Sequence, residues 1–107
     1  MRLIELDPQW LVKDGARVGF TFRSPINQKW RQSCFVQPMK ISDQMELFES
    51  VHGEEGVQPC KKSFAWSVEG GIANADFGTI SVTPSLNGSD GGLWHGFITK
   101  GEIVGGV

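Results

Sequence analysis

Gly19-Phe20-Thr21-Phe22-Arg23 and Ser33-Cys34-Phe35-Val36-Gln37 each alternate apolar with polar or small residues, the period-two signature of half-buried strands. Between them, Ser24-Pro25-Ile26-Asn27-Gln28-Lys29 forms a turn, because Pro25 fixes φ and Asn27 tolerates a left-handed backbone. The same alternation returns in Phe64, Trp66 and Val68, where Gly70-Gly71 stops it, and in Ile80, Val82 and Pro84. Pro84 has no N–H to donate, which places it at the end of its strand or on a sheet edge. Asn87-Gly88-Ser89-Asp90-Gly91-Gly92 reads as a loop. Trp94 to Thr99, Lys100-Gly101 and Glu102 to Val104 read as a hairpin whose glycine meets the positive φ of a tight turn.

One helical segment fits this pattern. Ser42 is a capping-type residue ahead of Met45 and Phe48, so the helix is expected over about Ser42 to Val51. Gly and Pro together make 19 of 107 residues, and each Gly inside a helix costs about 1 kcal/mol. Six to eight short strands and one helix over residues 1–107 imply a single mostly-β domain, a small sandwich or rolled antiparallel sheet.

The 107 residues are 39% hydrophobic and 21% charged, with a net charge of -2; this balance supports a small core and excludes wholesale disorder. The first residues turn to acid and proline before a signal-peptide core could form, and no uncharged stretch approaches the roughly 20 apolar residues of a membrane span. The expected location is the cytoplasm, with no membrane partner. Cys34 and Cys60, 26 positions apart, match neither a disulfide framework nor a Cys-x-x-Cys pair.

Charge is segregated. Arg17, Arg23, Lys29, Arg31 and Lys40 are the only charges from Ala16 to Ser42, whereas Asp43, Glu46, Glu49, Glu54 and Glu55 follow from Asp43 to Glu55. A basic tract interleaved with Phe20, Phe22, Trp30 and Phe35 has the composition that tracks phosphates and stacks bases. The sequence pI of about 5.6 argues against a dedicated nucleic-acid domain, and solvated strand faces with internal ion pairs account for the same pattern. Arg23, Lys29, Trp30 and Arg31 are the leading candidates for a protein-binding surface, since Trp and long cations make strong anchors.

Two chemical constellations can be drawn. Cys34, His52, Cys60 and His95 are the soft and imidazole ligands of a tetrahedral zinc set, but their intervals of 18, 8 and 35 are unlike the short pairs of zinc modules. Cys34 with His95, oriented by Asp76 or Asp90, is the enzyme alternative; neither a Gly-x-Ser-x-Gly elbow nor a phosphate loop accompanies it. No cofactor or metal is expected. Trp94 and His95 form the second candidate site: alternation turns Trp94 towards the core and His95 outward beside Phe97, facing the Pro84-Ser85 turn, where it either binds a ligand or pins the hairpin through a backbone carbonyl.

Leu6-Asp7-Pro8-Gln9-Trp10-Leu11, Gly19-Phe20-Thr21-Phe22-Arg23-Ser24-Pro25, Ile80-Ser81-Val82-Thr83-Pro84-Ser85-Leu86 and Trp94-His95-Gly96-Phe97-Ile98-Thr99-Lys100-Gly101-Glu102-Ile103 resemble, over nearly the whole chain, a family of small bacterial and bacteriophage proteins of unknown function. Some members carry the label ammonia monooxygenase; no copper-ligand set or membrane span accompanies it here. Members that resemble a zinc module have Cys-Pro-x-Cys where Ser24 and Asn27 stand, and a further Cys at Leu93, so the resemblance implies a zinc site lost in this chain. It also implies a non-enzymatic phage-type accessory protein that binds a host or viral macromolecule in the host cytoplasm, an inhibitor of a bacterial defence system being one form. The alternatives are a small-ligand or zinc-binding module at Trp94 and His95, and an enzyme with a Cys34/His95 centre.

Overall fold

Two antiparallel sheets carry the chain in a computed structural model that describes residues 1–53, 65–87 and 94–105. A 3-10 turn (Leu3–Leu6) leads into strands β1 (Gln9–Lys13), β2 (Ala16–Arg23) and β3 (Arg31–Phe35), then helix α1 (Ile41–His52). Strands β4 (Ser67–Val68), β5 (Val82–Asn87), β6 (His95–Thr99) and β7 (Glu102–Val104) follow, with a second 3-10 turn at Ile72–Asn74. The sheets are ordered β1-β2-β3 and β4-β5-β6-β7. The mostly-β expectation holds.

Strand pairing aligns Trp10, Phe20 and Cys34 across the first sheet, and Leu11, Gly19 and Phe35 one residue along. Successive residues face opposite sides, so the sheet has two apolar faces. Phe20, Phe22 and Cys34 pack with Val82, Leu86, Trp94 and Ile98 of the second sheet in the main core. Leu11, Val18, Phe35 and Met39 form a smaller cluster with Leu47 on the other face, under α1. Trp66 N–H to the Phe35 carbonyl, at 2.8 Å, joins the sheets by backbone.

The sequence expectations meet three corrections. Pro84 lies inside β5, which is paired on both sides; it is accommodated because the β5–β6 ladder runs from Val82↔Ile98 directly to Leu86↔Gly96, leaving no N–H required at the proline. The helix begins at Ile41 with Lys40 at its N-cap and no side-chain cap; Ser42 lies inside it, and the buried Gln44 amide instead donates to the Met39 carbonyl at 3.0 Å. Strand β1 is absent from the expected elements, although Asp14-Gly15 marks its hairpin: both residues take positive φ, 53° and 80°, the requirement of a two-residue turn that matches sheet twist. Lys100-Gly101 repeats that turn between β6 and β7 with φ of 49° and 76°. Phe64 and Gly88 to Gly92 of the expected strand and loop lie outside the described residues.

Candidate functional site

The hairpin between β2 and β3 carries the first candidate residues. Its register puts Arg23 opposite Arg31, two like charges that need an anion. Asp7 supplies it. Arg31 Nη1 donates to the Asp7 carbonyl at 2.8 Å and Nη2 to the Asp7 carboxylate at 3.1 Å, while Arg23 Nε lies 4.0 Å from the same carboxylate. Asp7 takes a left-handed φ of 48° at the end of the first 3-10 turn, presenting carbonyl and carboxylate to one guanidinium. The Arg31 side chain is 1% exposed, which corrects its place on the candidate surface: it is the buried foundation of the hairpin.

The loop above it is ordered by its own backbone. Ser24 N–H donates to the Trp30 carbonyl at 2.9 Å and Trp30 N–H to the Asn27 carbonyl at 3.1 Å. Lys29 N–H reaches Asn27 Oδ1 at 3.2 Å, and Arg23 Nη1 the Gln28 carbonyl at 3.1 Å. The Asn27 side chain therefore fixes the turn, whereas the buried Ser24 hydroxyl has no hydrogen-bond partner among the described residues. Lys29 and Ile26 are exposed and Trp30 is half-buried. Arg17 is also held inward: its guanidinium lies 4.1 Å above the Trp10 ring and donates to the Ile72 and Ala75 carbonyls. With Arg17 and Arg31 turned to internal acceptors, the basic tract presents Arg23, Lys29 and Lys40.

Trp94 and His95 separate as alternation requires. Trp94 is 1% exposed, its ring edge-to-face with Phe22 at 6.1 Å. Gln32 holds its backbone from both sides, donating through Nε2 to the Trp94 carbonyl at 3.2 Å and accepting from the Trp94 N–H at 2.9 Å. A side chain at Gly96 would strike the Trp94 indole and the Val104 carbonyl, so the Trp94-His95-Gly96 order is set by the indole folding back over the strand. His95 faces outward, half-buried. Its Nε2 lies 3.4 Å from Ser85 Oγ, in the Pro84-Ser85 segment that it was expected to face. Phe97, on the same face, is 48% exposed.

The remaining chemistry is spread over separate layers. Cys34 is buried in the inter-sheet core, and His95 lies on the outer face of the second sheet. His52 lies on the helix side of the first: its Nε2 is 2.6 Å from Thr21 Oγ1, a buried residue on β2, and its ring lies 4.6 Å from Phe48. A Cys34/His95 centre is therefore not assembled, because the β6 backbone lies between the two side chains. Asp76 accepts from the Gly78 N–H at 2.7 Å; Cys60, Asp90 and Leu93 lie outside the described residues. No group of three or more His, Cys, Asp or Glu converges among the described residues, and no helix among them is long and apolar enough to cross a membrane.

The Thr21–His52 and Gln32–Trp94 contacts were not foreseen. Thr21 at an apolar-flanked strand position was the available signal for the first; the second spans 62 positions and has no local signature. No family model, curated protein or solved structure matches this chain.

Proposed function

We propose that this chain is a non-enzymatic accessory domain that binds a host or viral macromolecule, a protein by preference, through the loop from Ser24 to Trp30 and the flanking Arg23. The observation that carries this reading is the loop's order: four hydrogen bonds hold it while Ile26 stands 49% exposed beside Lys29 and Trp30. A loop already in its bound shape loses less entropy on association, and Trp and Arg are among the residues enriched at the energetic centre of interfaces. Arg31 supports this surface from below. Nucleic acid is the weaker partner, since three of the five cations in the tract, Arg17, Arg23 and Arg31, serve carbonyls, a carboxylate and a ring of the chain itself. The resemblance to small bacteriophage proteins supports a phage-encoded form acting in the host cytoplasm, with a component of a bacterial defence system as its target.

The test is affinity capture from host cells with three baits: the natural chain, an Ile26→Asp/Trp30→Ala variant and His95→Ala. A defined protein retained by the first and third baits and lost from the second supports the loop. Equal retention by all three overturns it. Retention lost only from His95→Ala favours the second reading, a small-ligand or partner site at His95, Ser85 and Phe97, which the 3.4 Å His95–Ser85 contact supports. Trp94 has no part in that site, being buried.

A further inference from the structure

We propose that Ser85 and His95 form an activated hydroxyl, a serine nucleophile with its general base, directed at acyl or phosphoryl electrophiles from the outer face of the four-stranded sheet. This gives the chain a chemical role on a face apart from the binding loop; labelling of Ser85 would set aside the non-enzymatic part of the reading above and leave its loop surface untouched.

The first observation is the shape of β5. Between Val82↔Ile98 and Leu86↔Gly96, the three residues Thr83, Pro84 and Ser85 stand against Phe97 alone. Such irregularities bend a strand and re-aim its side chains, and they concentrate beside active sites. Ser85 lies at the end of this interruption, and its Oγ comes to 3.4 Å from His95 Nε2. Nucleophile–base contacts are often this long before a substrate is bound.

The second observation is that both partners rest on fixed backbone. Trp66 Nε1 donates to the Ser85 carbonyl at 3.2 Å. On the other strand, Gln32 clamps both backbone groups of Trp94, the residue before His95. A pair that must meet an incoming electrophile benefits from such support. Both side chains are half-buried, open to solvent and shielded in part, and Phe97 offers an apolar flank two residues along β6.

With the ring proton on Nδ1, His95 Nε2 accepts the Ser85 hydroxyl proton as Oγ attacks. With a carbonyl substrate, a bond forms from Oγ to the carbonyl carbon, the leaving-group bond breaks, and His95 returns the proton to the leaving group. With a fluorophosphonate, the Oγ–P bond forms, the P–F bond breaks and fluoride departs.

A fluorophosphonate is therefore the probe, applied to the folded full-length chain and followed by intact mass and peptide mapping. The expected result is a single adduct on Ser85. His95→Gln, which keeps a polar side chain of similar reach, should slow labelling at least about a hundredfold, the low end of a general base's contribution. Mapping reads the site on the natural chain, so the result does not hang on the folding of a Ser85→Ala variant. No adduct, an adduct on another residue, or a rate unchanged by His95→Gln overturns the proposal.

Discussion

Arg31 and Asp7 are unequal partners. The arginine side chain is 1% exposed and the aspartate 58%, so losing either leaves a different orphan. Removing the carboxylate takes one acceptor from a cation held inside the protein, whereas removing the cation leaves an anion that water can reach. Losing the partner of a charge costs up to about 3–5 kcal/mol when the pair is fully buried. Asp7→Ala should therefore destabilise more than Arg31→Met in urea denaturation, and the reverse order would show that the guanidinium is hydrated after all. Gln32 invites a sharper contrast with His95. Gln32→Leu leaves the Trp94 N–H and C=O without their side-chain partner in the interior, at about 1–3 kcal/mol for each buried group left unmade. His95→Ala removes one 3.4 Å contact on a half-open face and should lower the melting temperature far less. Equal losses would make His95 a structural pin.

At the scale of elements, the strands were readable where residue types alternate: Phe20 and Phe22 flank Thr21 in β2, although both faces of that strand are buried, and in β6 Phe97 faces out and Ile98 in. The helix was readable to within one residue at each end from Met45 and Phe48. Pro84 misled because proline's missing donor matters only where the ladder demands one, and the interruption opposite Phe97 removes that demand. Arg31 misled for a related reason: composition assigns cations to water, and only the fold brings Asp7, 24 positions away, to receive this one. The acceptors of Arg17 and the partner of Gln32 lie farther still along the chain, beyond any local pattern. Helix α1 rests on few buried contacts, with Phe48 the largest at 2% exposed. Phe48→Ala should cost about 3–5 kcal/mol, and hydrogen exchange should then rise across Ile41–His52 before it rises in β2 or β6.

For the whole molecule, the start of the chain closes the open side of the second sheet. Ile103 N–H donates to the Met1 carbonyl at 2.9 Å, Leu3 N–H to the Gly101 carbonyl at 2.8 Å, and Arg2 pairs with Glu102. Leu3 and Leu6 are fully buried in the main core. Deleting residues 1–6 removes both leucines, each worth about 2–5 kcal/mol as a Leu→Ala change, and uncovers the β7 edge for pairing with other chains. Total stability for a domain is about 5–15 kcal/mol, so the truncated chain should be unfolded or aggregated by circular dichroism and light scattering. A truncated form that melts like the full chain would show that the core does not include this segment.

The stacking around Trp10 has an optical consequence. The chain contains four Trp and no Tyr, so indoles dominate its near-ultraviolet absorption and emission. Trp66 and Trp94 are buried, and Trp10 lies between the Phe77 ring, 4.0 Å away, and the Arg17 guanidinium, 4.1 Å away. Trp30 alone stands on the loop proposed above as the binding surface. A molecule that covers the loop should shift the emission of this one chromophore to the blue and shield it from iodide while the other three stay silent, and Trp30→Phe should abolish the signal. The protein thus carries a built-in spectroscopic reporter of its own contacts, usable without any attached dye.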